Sequence, residues 1–312
     1  MAISHWPVIV VGAGAAGLAA ALFAARRGAR VLLLETRPTP GAKLRVSGGG
    51  RCNVLPSEMR LERFHTDGSR PAMRNVLTSW PLEAVRGWFE EDLGVPLKVE
   101  ATGKVFPTSD RSRDVVEALL AACAQSGVVL EGGHRVVQVE CASQPENARF
   151  ELRCANGRQL TCRHLVLTTG GLSLPKTGSD GGGLEIARVL GHTIVPTYPA
   201  LVPLLTDEAR WKALAGVSMR VRLRALEGTR CLEEREGDFL FTHRGFSGPA
   251  TLDMSRHVCG PDRGGKRLVV EWAPQADWEK LLQSPGRRSV AGLLREHLPA
   301  RVAGVLVELA GI

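Results

Sequence analysis

The chain has 312 residues, 44% hydrophobic and 23% charged, a composition that fits a globular protein long enough for two domains and excludes a disordered or fibrous polymer. Its formal charge of +8 comes from scattered basic residues, and only 5% of residues are aromatic. No basic tract with interleaved stacking side chains results, so a nucleic-acid partner is not expected.

From the N-terminus, the apolar run Val8–Val11 leads into Gly12-Ala13-Gly14-Ala15-Ala16-Gly17, followed by an alanine-rich stretch that predicts a helix to about Arg27-Gly28. A second apolar run, Val31–Leu34, ends in Glu35. Strand, glycine-rich turn, helix and second strand with a terminal acid form the βαβ fingerprint of a dinucleotide site. Gly12 permits the tight turn, Gly14 lets a pyrophosphate approach the backbone, and Gly17 lets helix and strand pack closely. Glu35 is placed to accept hydrogen bonds from an adenosine ribose and would repel a 2′-phosphate, which favours NAD or FAD over NADP. No Lys or Arg precedes the apolar residues 15–25, and no other run is long enough to span a bilayer, so neither a secretory leader nor a membrane partner is expected.

Next comes Ser47-Gly48-Gly49-Gly50-Arg51-Cys52-Asn53, flanked by Lys43 and Arg45. Three glycines in a row destabilise any regular element and expose backbone, which reads as a ligand-facing loop. Helical periodicity appears over Trp80–Leu93 and more strongly over Asp114–Gln125. Short strands are predicted at Val128–Leu130 and Arg135–Val139, and a hairpin at Phe150–Cys154 and Gln159–Cys162 around the turn pair Asn156-Gly157. Leu165–Thr168 reads as a separate central parallel strand running into Gly170-Gly171.

A boundary is placed near Val195, giving domains at 1–194 and 195–312. In the second, Val217, Met219, Val221, Leu223 and Ala225 alternate with Ser218, Arg220, Arg222 and Arg224, as in a half-buried antiparallel strand whose arginines form the wet face. Phe239–Phe241 and Leu268–Val270 add strands, and Val290–Leu298 and Val302–Leu309 read as closing helices. The expected fold is therefore α/β: a Rossmann-like domain with a parallel sheet, plus an inserted, mostly antiparallel β domain with helices. Seven scattered cysteines show no CxxC pair and no metal-ligand spacing, which fits reduced thiols in a cytoplasm and no metal. Cys52 has no second cysteine near it in sequence, and packing explains it better than redox chemistry. His243 can titrate near neutrality, but most single histidines are structural, and the catalytic groups are left unassigned.

These segments together resemble the HI0933-like flavoproteins, NAD(P)/FAD-dependent oxidoreductases that include a bile-acid dehydro-intermediate reductase and proteins labelled aminoacetone oxidase. The resemblance rests on the Gly12–Leu18 turn, Lys43 with Ser47–Asn53, Gly103-Lys104-Val105-Phe106-Pro107, Thr169–Pro175 with Gly178-Ser179, Leu190-Gly191-His192-Thr193, and Phe241-Thr242-His243 with Ser247-Gly248-Pro249-Ala250. It implies that Gly12, Gly14, Ala15, Ala16 and Glu35 hold the ADP half of FAD. Lys43, Gly49, Gly50, Arg51, Cys52 and Asn53 would line the flavin side, with Arg51 meeting phosphates. Val136, or its neighbour Val137, would touch the adenine through backbone atoms, and Thr169 and Gly170 would close over the cofactor.

The implied activity is hydride transfer from NAD(P)H, bound transiently, through flavin N5 to a small organic acceptor such as an activated alkene. A non-catalytic FAD-binding fragment is the main rival, and a FAD-dependent RNA-modifying enzyme a weaker one. The family pattern continues past the inserted domain into a segment that covers the flavin. This sequence ends at Gly311-Ile312, so that segment is expected to be missing and FAD retention to be weak.

Overall fold

Val8, Ile9, Val10 and Val11 carry no polar side chain, so a strand built from them must be covered on both faces. In the computed structural model, which describes residues 3–142, 148–262, 264–283 and 288–312, all four are at most 9% exposed. The chain divides into two units, Met1–Val195 and Pro196–Ile312.

In chain order the first unit contains β1 (Ser4–Val11), α1 (Ala15–Arg26), β2 (Val31–Glu35), α2 (Ala42–Val46), β3 (Leu55–Pro56), α3 (Arg70–Ser79), α4 (Leu82–Gly87), β4 (Leu97–Val99), β5 (Lys104–Pro107), α5 (Ser112–Gln125), β6 (Val129–Gly132), β7 (Val136–Cys141), β8 (Phe150–Cys154), β9 (Gln159–Leu167) and α6 (Gly182–Val189). Its main sheet has the order β6-β2-β1-β9-β8-β7. Strands β6, β2, β1 and β9 run parallel, whereas β8 and β7 are antiparallel additions, so the sheet is mixed where the sequence suggests a parallel one. Because side chains alternate along a strand, Val8 and Val10 pack with α1 and α5, while Ile9 and Val11 pack with Leu32, Leu34, Leu152 and Ile186 on the other face.

Gln159–Cys162 and Leu165–Thr168 do not form two strands. Strand β9 is continuous: Gln159–Cys162 pair antiparallel with β8, and the whole of Leu160–Leu167 pairs parallel with β1. A small sheet of order β3-β5-β4 completes the unit.

The second unit contains β10 (Leu204–Leu205), α7 (Ala209–Lys212), β11 (Ser218–Glu227), β12 (Arg230–Thr242), β13 (Gly245–Ser247), α8 (Pro249–Met254), α9 (Arg256–Cys259), β14 (Lys266–Trp272), α10 (Trp278–Gln283), α11 (Val290–His297) and α12 (Ala300–Ala310). Its antiparallel sheet has the order β10-β13-β12-β11-β14. The alternation along β11 is realised directly: Val221, Leu223 and Ala225 are at most 1% exposed and pack with Ala250 and Met254 of α8 and Val302 of α12. On the opposite face, Arg222 pairs with Glu236 at 2.5 Å and Glu271 at 3.1 Å, and Arg224 pairs with Glu234 at 2.8 Å and Glu271 at 2.7 Å. The arginine stripe is thus answered by glutamates on the two neighbouring strands, in solvent-screened pairs that contribute little to stability singly.

A more buried ionic cluster lies at Glu233, which accepts from Arg235 at 3.0 Å, bonds His257 Nε2 at 3.1 Å and also accepts from Arg256. Burial pushes the Glu233 carboxyl up, but the His257 hydrogen bond and the Arg256 and Arg235 charges outweigh it and hold it below its ordinary 4.5. A lowered folded value means that Glu233 contributes stability above about 4.5, and that this contribution is lost as pH falls through the lowered value. Glu233→Gln is therefore expected to destabilise the chain near neutrality and to flatten the loss of stability below pH 4.5, as read by denaturant unfolding over a pH series.

Candidate functional site: a cavity at the ends of β1, β2 and β9

The first strand ends where three stretches of backbone converge. Gly12 N–H donates to the Leu34 carbonyl at 2.7 Å, and the Thr168 hydroxyl bridges the carbonyls of Val11 and Gly12 at 2.9 and 2.8 Å. Gly12 has φ +105°, and a Cβ there would lie 2.6 Å from the Thr168 carbonyl oxygen. A Cβ on Gly17 would lie 1.8 Å from the Gly12 carbonyl oxygen, so α1 reaches the turn only because residue 17 has no side chain. Gly14 differs: its φ is −81° and a Cβ would meet nothing within 4 Å. Nothing in the protein's own packing requires glycine at 14, which leaves that stretch of backbone open to the cavity.

Glu35, at the end of β2, accepts from Ala13 N–H at 2.7 Å and from Arg37 N–H at 2.9 Å, one bond to each carboxylate oxygen. The turn is thereby tied to the second strand, and each oxygen keeps a lone pair for a further donor. No side chain caps the N-terminus of α1, which leaves its first N–H groups for an anion.

These elements enclose a cavity of about 350 Å³. Of the residues singled out from sequence, Gly12, Gly14, Ala15, Ala16, Glu35, Lys43, Val136, Thr169 and Gly170 all line it. Lys43 reaches in from α2 and donates to the Ser173 hydroxyl at 3.1 Å, its ammonium facing no carboxylate within ion-pair distance among the described residues.

Gly49, Gly50, Arg51, Cys52 and Asn53 do not line this cavity. The segment is also more ordered than a bare loop: α2 leads into a tight turn at Ser47–Gly50 in which Gly48, Gly49 and Gly50 all have positive φ. Gly48 lies against Phe106, where a Cβ would come within 2.6 Å of the ring, while Gly49 meets nothing within 4 Å. Arg51 does not point its charge at the cavity. It pairs with Glu100 at 2.5 Å and Asp110 at 3.5 Å and lies 4.0 Å over the Phe106 ring, so its expected phosphate contact gives way to a bond that pins the turn to β4 and β5. Cys52 is 1% exposed in a left-handed conformation (φ 65°), and burial pushes its thiol up, so it stays protonated near neutrality. Asn53 is exposed, as is His243, which sits in the turn between β12 and β13.

The cavity also includes Ser47 of the glycine-rich loop and Ser179 of the family pattern, together with residues given no site role from sequence, chiefly Arg135, Thr168, Asp180 and Gly183. Asp180 accepts from Arg135 at 2.7 Å and from Gly182 N–H at 3.1 Å, which caps α6; the Arg135 bond first, and the backbone bond after it, hold its carboxyl below the ordinary range. The signal was present in Gly181-Gly182-Gly183 ahead of a helical run, a second glycine-rich helix start without the full fingerprint.

The fold and this cavity define a Rossmann-like unit with a dinucleotide-type glycine turn at the end of its first strand. A family model described as "HI0933-like protein Rossmann domain" matches residues 6–294, and the chain belongs to that family. It is 31% identical over 99% of its length to a ribosomal RNA dihydrouridine synthase of Escherichia coli, covering 75% of that protein. It is 32% identical over 84% of its length to a 3-dehydro-bile acid delta(4,6)-reductase of Clostridium scindens, covering 62% of that protein. Among solved structures it is similar to the open conformation of a flavocytochrome c3 fumarate reductase, at 20% identity and a TM-score of 0.48, covering 69% of this chain and 47% of the other.

The contrast between two glycines of one motif yields a test. Gly17→Ala is expected to lower the thermal midpoint by about 5 °C or more, because the backbone of the turn must yield. Gly14→Ala is expected to leave the cofactor-free midpoint within about 2 °C and to weaken dinucleotide binding by roughly tenfold or more, as read by scanning calorimetry and by titration.

Proposed function

We propose that the chain binds FAD in the cavity at the ends of β1, β2 and β9 and reduces a carbon–carbon double bond of an organic acceptor with electrons from NAD(P)H. The observation that carries this reading is the convergence on one cavity of the Gly14 backbone, the uncapped start of α1 and the Glu35 carboxylate. These are a surface for a pyrophosphate, donors for its charge and an acceptor for a ribose hydroxyl.

In this scheme Gly14, Ala15 and Ala16 hold the pyrophosphate through backbone N–H groups, and Lys43 adds positive charge on the same side. Val136 backs the adenine, and Thr169 and Gly170 border the cofactor where β9 ends. Gly49, Gly50 and Asn53 belong to the flavin side, beyond that cavity, with Arg51 fixing their turn and Cys52 packed into the core behind it. FAD supplies the hydride-transfer chemistry at its N5, and the chain supplies placement and exclusion of water.

The names of the two relatives support the acceptor class: a delta(4,6)-reductase and a dihydrouridine synthase share the addition of hydrogen to a ring double bond. They also favour a second reading, in which the acceptor is a pyrimidine in RNA. The match to the dihydrouridine synthase covers nearly the whole chain, and the +8 charge is compatible with a polyanion. No helix among the described residues is long and apolar enough to cross a membrane, and we place the protein in the cytoplasm, where NAD(P)H is available.

Purified protein mixed with FAD is expected to keep flavin absorbance through desalting, to be bleached anaerobically by NADH or NADPH, and to regain colour with a conjugated cyclic enone. Binding of NAD without any FAD affinity would refute the cofactor; recovery of colour with a ribosomal RNA fragment but with no enone would select the second reading. Glu35→Ala removes a charge-assisted acceptor contributing about 1.5–3 kcal/mol and is expected to raise the FAD dissociation constant by roughly tenfold or more in the same absorbance titration.

A further inference from the structure

The second unit contains a cavity that the dinucleotide site does not use. It has a volume of about 190 Å³ and is walled by Trp211, Phe239, Phe246, Trp272 and Leu223. The rings form an aromatic box, with Phe239 and Phe246 centroids 5.4 Å apart, Phe239 and Trp272 5.7 Å apart, and Trp211 6.1 Å from both Phe246 and Trp272. One polar side chain breaks this apolar lining. Thr251, on α8, lines the cavity at 0% exposure, and its Oγ1 has no hydrogen-bond partner among the described residues.

A buried hydroxyl without a partner is destabilising, and native structures seldom tolerate one without a reason. Trp211, Phe246, Leu268, Val270 and Trp272 are half-buried, so the cavity opens to solvent and a guest can enter, but an ordered water on Thr251 would find few of the about two to four polar partners it needs in this lining. Apolar cavities of about 150 Å³ lined by Leu, Ile and Phe stay dry and take up benzene. The present cavity is somewhat larger and carries one hydrogen-bonding group, and aromatic walls favour a flat guest in offset-stacked or edge-to-face contact.

We propose that this cavity is a binding site for a single-ring aromatic molecule bearing one hydroxyl, a phenol, whose hydroxyl pairs with Thr251 while its ring lies among Trp211, Phe239, Phe246 and Trp272. The site lies wholly within the second unit and stands independently of the FAD reading.

The test compares p-cresol with toluene, which differ by the one hydroxyl, by calorimetric titration of the full chain at saturating FAD. Wild type is expected to bind one p-cresol per chain, about fivefold or more tighter than toluene, as one net hydrogen bond provides. Thr251→Val, which keeps the shape and removes the hydroxyl, is expected to abolish that preference without weakening toluene, and to leave the ligand-free thermal midpoint at or above that of wild type. In protein labelled with 5-fluorotryptophan, p-cresol should shift the Trp211 and Trp272 fluorine resonances. No saturable binding of p-cresol by millimolar concentrations, equal binding of the two probes by wild type, a preference that survives Thr251→Val, or a lowered midpoint in that variant would each overturn the proposal.

Discussion

The site depends on how closely three backbones approach one another at Gly12. The turn leaving β1, the first turn of α1 and the end of β9 meet with only the Thr168 side chain between them, its hydroxyl bonding the carbonyls of both Val11 and Gly12. That contact places Thr169 and Gly170 beside the cavity that Gly14 and α1 border. It also explains why the glycines divide into two kinds. Gly12 and Gly17 are required by the protein's own atoms, whereas Gly14 borders the open space of the cavity.

Much of this was legible in sequence because the residues report local constraints. Val8–Val11 and Val31–Leu34 must be covered on both faces, and the alternation along β11 fixes an inner and an outer face without knowledge of its neighbours. Strand β9 was harder to read, since Gln159–Cys162 has a hairpin pattern and Leu165–Leu167 the pattern of a central parallel strand. The two are one strand whose first half has an antiparallel neighbour on one side and a parallel one on the other. A pattern of exposure records how many faces are covered; it does not record where a strand breaks.

The charges show the same limit. Arg51 sits in a glycine-rich segment beside other basic residues, and in sequence its natural partner is a phosphate. Glu100 and Asp110 are far away along the chain, and only the folding of β4 and β5 against the Ser47–Gly50 turn brings them to it. Long-range pairing of this kind leaves no local signature. The arginines of β11 posed the same choice and met glutamates on β12 and β14. What remains at the cavity is Lys43, which has no ion-pair partner among the described residues and so is the cation available to an anionic ligand there.

The buried thiols are held protonated near neutrality. Cys52 is buried and its pKa is raised; burial likewise pushes Cys123 up to about 11 and Cys162 up to about 12. A thiol held protonated is neither a nucleophile nor half of an accessible redox pair, and all seven cysteines are free. The strained left-handed backbone at Cys52 is therefore better explained by what it does to its neighbours. It lets the chain turn sharply after Arg51, so that Cys52 packs into the core while Gly49 borders open space, where a Cβ would meet nothing within 4 Å. The segment thus owes its shape to backbone conformation and to the Arg51 pairing, and its one thiol is spent on packing.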